Sequence, residues 1–257
     1  MDNRPTHFYR YRSLSNGAME FVRKTLLEDQ LFFSAPSTFN DPFDCYPSFE
    51  FAATNEEIAS YYAGVIRRNS TQLTEEQIMD EARAMLVDPE RNPRNPDFLN
   101  SFQDLHVKHI KEKIGVLCLS EVYDDILMWS HYADFHRGVC FQFDGSSQYF
   151  ANVHRVNYLP DRPKINPFLQ STEEMMDAGL LAKARQWSYE KEWRLMRYKL
   201  GPGISIVPAE ALVGVVLGAR ISPQDEKTIV ELVKARRAPT KILRASVSRY
   251  TYSLEFE

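Results

Sequence analysis

The amino-acid sequence predicts an α+β fold, and three observations lead to it. Short apolar or alternating segments, typical of β-strands, dominate the two ends of the chain. A helical pattern fills the middle, from about residue 55 to residue 113. Strands and helices show little of the regular alternation that builds a doubly wound parallel sheet. Because 257 residues fit one large domain, we predict a single domain over residues 1–257 with a helical insertion at about 55–113.

The first predicted strand is THFYRYRSL, residues 6–14, in which aromatic and basic side chains alternate. Successive strand side chains point to opposite faces, so Phe8, Arg10 and Arg12 share one face and Tyr9 and Tyr11 share the other. Apolar spacing in SNGAMEFVRKTLLEDQ predicts a helix, and the apolar segment QLFFSAP predicts a strand.

The next segment, STFNDPFDCYPS, is dense in Asn, Asp and Pro and is predicted to be an ordered loop. Apolar rings tend to be buried, so we expect Phe39 and Phe43 to pack beneath this loop. Asn40 or Asp41 would then turn toward a cleft.

The helical insertion carries recognisable helix starts. Thr54 and Thr74 each precede two glutamates, and acidic residues in a first turn suit the helix dipole. The proline-rich segment from Pro89 to Pro96 should break the helical structure.

The rest of the chain alternates less regularly between the two element types. Helices are predicted in DDILMWSHYADFHRG, in residues 171–186 and in SPQDEKTIVELVKARR. Strands are predicted in GVLCLSE, VCFQFD, VHRVNYL, GISIVP, LVGVVLG, TKILRASV and TYSLEFE.

Composition and charge narrow the function classes. The net charge is −4, so the whole chain has no electrostatic attraction to nucleic acid or to an anionic membrane. One segment, residues 235–249, is rich in Lys and Arg and has no acidic residue; we interpret it as a solvated helix end and strand. No segment approaches 18 consecutive apolar residues, and the N-terminus lacks a signal-peptide core, so we expect a cytoplasmic protein with no membrane partner.

Several well-known site patterns are missing from the sequence. It contains no phosphate-binding Walker loop and no GxGxxG, GxSxG, HExxH or CxxC motif. The three cysteines are too scattered for a metal motif. His131, Asp134 and His136 do not have the one-turn spacing of helical metal ligands, and adjacent residues such as Ser130 and His131 do not face each other on a helix. No metal is expected.

The segment WSYEKEWRLMRY, residues 187–198, places two carboxylates two residues apart. In a strand, Glu190 and Glu192 would point to one face, where two like charges raise each other's pKa unless something offsets them. One interpretation is an exposed edge strand whose solvent face carries a ladder of charges. The other is a site that uses paired carboxylates.

Aromatic and polar residues are concentrated in four separated segments, namely FYRYRS, FNDPFD, MWSHYADFHRG and YEKEWR. They either form structural networks or converge on one cleft. In a cleft, arginine would bind phosphate or carboxylate and aromatic rings would stack on flat groups.

These segments, with LFFSAPSTFNDPFD and GVLCLSE, resemble a bacterial family catalogued as domain of unknown function 2971. The resemblance runs in order from about residue 7 to residue 221. Members of that family often begin with LYHYTS where this chain has FYRYRS.

That first-strand motif is in turn similar to the one in ADP-ribosyltransferases, where a His or Arg holds NAD. The resemblance implies a split, strongly curved, mixed or antiparallel sheet, with Arg10 on NAD and Glu190-Lys191-Glu192 as the catalytic strand. It implies that Glu192 stabilises the ribosyl cation and that Glu190 deprotonates the acceptor. Trp129 or Tyr132 would stack on nicotinamide. The predicted cofactor-binding residues are Arg10, Tyr11, Arg12, Asn40, Asp41, Trp129, Ser130, His131, Tyr132 and Arg137.

The resemblance implies an ADP-ribosyltransferase, a kind of glycosyltransferase, or an NAD-cleaving enzyme, of bacterial effector, toxin or phage-defence type. NAD would be its substrate, and the acceptor is open between protein, nucleic acid and water. One alternative is a non-catalytic module that binds a nucleotide or a partner protein, and another is a defence-associated nuclease. The insertion at 55–113 would be a lid, a partner-binding surface or a spacer.

Overall fold

Strands from both ends of the chain come together in one eight-stranded mixed sheet. The computed structural model describes residues 4–88, 90–92 and 94–257. The chain divides into two compact units. The first unit consists of the chain up to Ala35, Ile114–Tyr158 and Arg185–Glu257, and the second of Pro36–Lys113 and Leu159–Ala184.

The elements are as follows. Seven helices lie in the described residues, α1 (Ala18–Glu28), α2 (Asn55–Asn69), α3 (Glu75–Ala84), α4 (Pro96–Lys113), α5 (Ile126–Tyr132), α6 (Thr172–Leu180) and α7 (Pro223–Lys234). The strands there are β1 (His7–Arg12), β2 (Gln30–Phe33), β3 (Ser48–Phe49), β4 (Gly115–Ser120), β5 (Val139–Asp144), β6 (His154–Arg155), β7 (Asn157–Leu159), β8 (Lys164–Ile165), β9 (Ala182–Ala184), β10 (Glu192–Arg197), β11 (Gly203–Ile206), β12 (Leu212–Leu217), β13 (Lys241–Val247) and β14 (Leu254–Phe256).

The large sheet belongs to the first unit and has the strand order β14-β13-β12-β5-β1-β4-β10-β6. Only β12 and β13 run parallel among its paired strands. The α+β class is thus confirmed, with a mixed sheet.

Successive side chains of β1 point into two apolar layers, one on each face of the sheet. Phe8 lies in the larger layer, with residues of α1 and α7 such as Val22 and Ile229. Tyr9 lies in the other layer, with Trp129 of α5. The sheet is therefore covered by helices on both faces.

The sheet opens between β1 and β4. Six residue pairs join β1 to β5, whereas a single pair, Tyr9 with Ser120, joins β1 to β4. Beyond that pair, the β4 residue Val116 exchanges two backbone hydrogen bonds of 2.9 Å with Ser34 instead. Ser34, which follows β2, thus pairs with β4 in the part of the sheet where β1 does not.

The second unit contains the segment that was predicted to be a helical insertion. Three helices and no strand lie in the described residues of 55–113. Thr54 and Thr74 cap α2 and α3 as predicted, each accepting a hydrogen bond from the third residue of its helix. The helices break between Ala84 and Pro96, and two residues of the predicted breaking segment, Pro89 and Pro93, lie outside the described residues.

The loop prediction is partly wrong. Phe43 is 62% exposed rather than buried. The guanidinium of Arg162 lies 5.2 Å from the centre of the Phe43 ring. The ring therefore makes a cation–π contact although it lies outside the hydrophobic core. Asp41 is buried, and its carboxylate accepts a 2.8 Å hydrogen bond from the backbone N–H of Phe43. Asp41 therefore shapes its own loop.

The prediction of one strand over residues 187–198 is also wrong. Residues Arg185–Glu190 form a short 3₁₀ helix, and β10 begins only at Glu192. Between them, Lys191 has a left-handed backbone with φ of 43°. Because the chain turns at Lys191, Glu190 and Glu192 do not belong to one strand, and strand geometry does not place their side chains on one face.

Candidate functional site

A cavity of about 420 Å³ opens in the first unit where β1 and β4 separate. Arg10 and Arg12 of β1 form one wall, and Phe32 and Ser34 form another. His131 and Tyr132, at the end of α5, also line it. The cavity thus joins four of the predicted cofactor-binding residues.

Arg10 is a buried cation, with 6% of its surface exposed. Its guanidinium donates to the backbone carbonyl of Phe32 at 3.0 Å and to that of Cys118 at 3.4 Å. Its Nε has no hydrogen-bond partner in the structure. Burial, followed by the charge of Arg12, holds the pKa of Arg10 well below its usual value.

Arg12 lies two residues further along the same strand face. Burial lowers the pKa of Arg12 to about 10. None of the residues described as lining the cavity is an aspartate or a glutamate, and Lys24 adds a third basic side chain. A buried and a half-buried arginine on one strand face, without an acidic residue among the described lining residues, favour binding of an anion such as phosphate.

Aromatic side chains accompany these charges. Phe21 of α1 and Phe32 of β2 line the cavity and are 60% and 43% exposed. Rings exposed beside a cationic cavity provide surfaces on which a flat heterocycle can stack. The sequence analysis did not single out either residue. Their place in an apolar helix and strand resembles that of ordinary core residues, so periodicity offered no signal.

Tyr132 connects the cavity to a carboxylate. Its hydroxyl donates a 2.6 Å hydrogen bond to Oε1 of Glu190, which is 3% exposed. The hydroxyl of Ser120, on β4, donates to the backbone carbonyl of Glu190 at 2.7 Å. Residues 58 and 70 positions away thus hold Glu190 in place behind the cavity wall.

Glu192 occupies a different environment. Its two carboxylate oxygens accept hydrogen bonds of 2.9 and 2.8 Å from the guanidinium of Arg194, which is fully buried. Its backbone N–H donates to the hydroxyl of Tyr158 at 2.8 Å. Glu192 is therefore one half of a buried bidentate ion pair.

The strand register places Glu192 and Arg10 on opposite faces of the sheet. Glu192 pairs with Ser120, and Ser120 pairs with Tyr9. Paired residues of antiparallel strands share a face, and successive residues alternate. Glu192 therefore lies on the face of Tyr9, contrary to the expectation that it and Arg10 line one pocket.

Two predicted ligand residues are core residues. The Trp129 ring is fully buried, and its N–H donates to the Tyr123 carbonyl at 2.7 Å. It meets the Tyr11 ring edge-on at 5.2 Å, and the Tyr11 hydroxyl donates to the Val122 carbonyl at 3.0 Å. Both residues are already used on the face opposite Arg10, so neither is available to stack on a nicotinamide ring there.

Other predicted residues have local roles. Ser130 lies 3.2 Å from Nε2 of His136, a contact between side chains six residues apart that the sequence analysis did not predict. Arg137 is exposed and forms an ion pair with Asp134 at 2.9 Å. Asn40 and Asp41 belong to the second unit, where Asn40 is exposed.

Cys140 is fully buried. Burial raises the pKa of Cys140 well above its usual value, which disfavours the thiolate. No group of three His, Cys, Asp or Glu side chains in the described part of the chain could hold a metal ion. No helix there is long and apolar enough to cross a membrane.

Comparison with known proteins agrees with one of the resemblances. Residues 128–195 match the sequence model of a family described as a protein of unknown function, DUF2971. This segment is similar to DUF2971. It runs from α5 into β10 and contains Tyr132, Glu190 and Glu192. No curated protein and no solved structure matches the chain.

Proposed function

We propose that the cavity at Arg10 binds a nucleotide through its phosphate groups, and that this nucleotide is NAD, which the protein cleaves or uses to transfer ADP-ribose. The observation that carries the proposal is the pair Arg10 and Arg12, a buried and a half-buried arginine in a cavity without an acidic residue among its described lining residues. A phosphate supplies the missing negative charge and accepts hydrogen bonds from both fork-shaped cations.

The position of the aromatic rings supports a nucleotide rather than a free phosphate. Phe21 and Phe32 lie at the same cavity and expose a large part of their surfaces. A base stacked on these rings would place its attached phosphates toward Arg10 and Arg12. A cavity of about 420 Å³ falls in the range of ligand pockets.

Glu190 is the carboxylate that we assign to the chemistry. In NAD cleavage, the bond between ribose C1′ and the nicotinamide nitrogen breaks, and its electron pair leaves with nicotinamide. The positive charge that develops on the ribose is stabilised by a nearby carboxylate. An acceptor hydroxyl, amine or water then bonds to C1′, and its proton passes through the Tyr132 hydroxyl to the Glu190 carboxylate. Glu190 reaches the cavity wall through Tyr132, whereas Glu192 is engaged by Arg194.

A second candidate is a module that binds the nucleotide without reacting. The observation that favours it is the opposite-face arrangement of Arg10 and Glu192, since the implied mechanism needs a Glu-x-Glu strand directed at the bound NAD. The two candidates share the binding site and differ only in turnover.

Binding is tested first, by isothermal titration with ADP and with NAD. We expect Arg10→Gln to weaken binding of both by at least tenfold, because it removes a charged donor to phosphate. Arg23→Gln is the matched control, since Arg23 is exposed on α1 and is not among the lining residues. Equal affinities of the wild type and Arg10→Gln would refute a phosphate site at this cavity.

Turnover is tested with labelled NAD, following nicotinamide release and label transfer to candidate acceptors. We expect Glu190→Gln to slow the reaction on the order of a hundredfold or more. Glu192→Gln should act mainly on stability, because it weakens the partner of a buried arginine. Binding without nicotinamide release by the folded protein would favour the non-catalytic candidate.

A further inference from the structure

A second groove lies in the first unit, at the tip of the β13–β14 hairpin. It has a volume of about 590 Å³ and is separate from the Arg10 cavity, with which it shares no lining residue. The hairpin loop, residues 248–253, forms one side of it. Ile126 and His136 around α5, together with Arg220 after β12, form the other side.

Two tyrosine rings project from the hairpin loop. Tyr250 is 91% exposed and Tyr252 is fully exposed, more than any other large apolar side chain among the described residues. The loop itself is closed by a 3.1 Å hydrogen bond from the Ser248 N–H to the Ser253 carbonyl. The Thr251 hydroxyl lies 2.7 Å from that of Ser253. A hydrogen-bonded loop therefore holds both rings in solvent.

The groove carries positive charge in a chain whose net charge is negative. Arg220 and Arg249 line it, and none of its described lining residues is acidic. Glu255 is close in sequence, but it follows the lining residue Leu254 on β14 and so points to the opposite face. Burial and then the charge of Arg220 lower the pKa of His136, so the charge of Arg220 acts within the groove.

The basic segment at 235–249 contributes less to this surface than its composition suggests. Arg236 and Arg237 both form ion pairs with the buried Asp29, and Arg244 pairs with Glu226. Arg249 lies at the end of that segment and lines the groove. The groove thus combines one arginine of the segment with Arg220, from a different part of the chain.

We propose that this groove binds single-stranded nucleic acid. Exposed aromatic rings beside a cationic groove suit unpaired bases, which stack on the rings while their phosphates contact the arginines. Paired bases are buried in the duplex and cannot stack in this way. An acidic protein segment would satisfy the arginines but would leave two fully solvated rings without a flat partner. The proposal does not depend on NAD binding at the Arg10 cavity.

The test is fluorescence anisotropy with a labelled 12-nucleotide oligothymidylate and with the RNA of the same sequence. We expect binding of at least one of the two, and tenfold weaker binding of a duplex of equal length. Tyr250→Ala and Tyr252→Ala should each reduce affinity about tenfold, and Tyr→Phe at either position should restore it, because the ring rather than the hydroxyl stacks. Replacing Arg220 and Arg249 by Gln should weaken binding and lessen its dependence on salt.

Three results with the nucleic acids would each overturn the proposal. They are absence of binding to both oligonucleotides at 50 mM salt, an unchanged affinity in the double Tyr→Ala variant, and equal affinity for the duplex. A polyglutamate peptide that binds as tightly as the oligonucleotides would also overturn it, in favour of an acidic-protein site. Arg23→Gln serves as the charge control, and the far-UV circular dichroism of each variant reports that it is folded.

Discussion

The hydroxyl of Tyr132 donates a 2.6 Å hydrogen bond to the carboxylate of Glu190, although the two residues are 58 positions apart in sequence. Tyr132 also lines the Arg10 cavity, whereas Glu190 is buried. This hydrogen bond is therefore the contact through which the cavity wall and the buried carboxylate are connected. It makes Tyr132 a positioning residue for Glu190 in the proposed reaction.

Replacing Tyr132 by Phe tests this connection. The variant keeps the ring but removes the donor, so we expect NAD turnover to fall about tenfold or more, mainly in kcat. Loss of a buried hydrogen bond to a carboxylate should also lower the free energy of unfolding by about 2 kcal/mol. Tyr11→Phe is the matched control, because its hydroxyl binds the Val122 carbonyl and Tyr11 is not among the residues that line the cavity. Equal turnover in the two variants would contradict the role of Tyr132.

We expect Arg12 to lower the free energy of unfolding of the protein while it strengthens the binding of ADP. Since burial disfavours its charge, which lacks an acidic partner in the cavity, Arg12→Met should leave the free energy of unfolding unchanged or raise it by about 1 kcal/mol. ADP affinity should fall at least tenfold. Chemical denaturation and titration calorimetry measure the two effects. Arg236→Met is the contrasting variant, because Arg236 is buried beside Asp29 and its loss should destabilise the fold.

Stability should decrease on mild acidification because of His136. Burial and Arg220 lower the pKa of His136, so in the folded protein it resists protonation, whereas an unfolded histidine titrates near pH 6.5. Below about pH 6.5 the unfolded chain binds the proton first, and the free energy of unfolding falls with pH. His136→Gln should reduce this dependence between pH 7 and pH 5.5, as followed by denaturant titration.

Two other histidines define the control for that measurement. The pKa of His106 is also lowered, first by burial, so some pH dependence should persist in His136→Gln. The exposed His154 provides the matched substitution, His154→Gln, with which the slope of His136→Gln is compared. A slope that His136→Gln does not alter would mean that other groups control the acid response.

Asp29 should be far more important for stability than an exposed partner in an ion pair. It is 2% exposed and pairs with Arg236 at 3.2 Å and with Arg237 at 2.7 Å. Asn tolerates the left-handed backbone at this position, so Asp29→Asn removes only the charge. Because Arg236 then stays buried without its charged partner, we expect the free energy of unfolding to fall by about 3 kcal/mol. Glu75→Gln, in the exposed pair with Arg67, should cost far less, because solvent screens that pair. Comparable losses would contradict the contrast.

Local patterns were sufficient for most elements but not for the segment that contains Glu190 and Glu192. Thr54 and Thr74 were predictable caps because a cap depends on residues within one turn. The start of β10 depends on the left-handed backbone of Lys191. A lysine in the sequence does not predict that conformation. Alternation alone therefore extended the strand through Glu190 and placed both carboxylates on one face.

The sequence by itself determined the α+β class, the helical insertion and the two faces of β1, because these follow from periodicities of two and 3.6 residues along a short segment. It also predicted Arg10, His131 and Tyr132 as binding residues, and the structure places all three at one cavity. Only the tertiary structure decided that Tyr132 meets Glu190, that Glu192 is engaged by Arg194, and that Trp129 is core. These outcomes depend on strand register and on contacts between residues distant in sequence, and no local pattern encodes them.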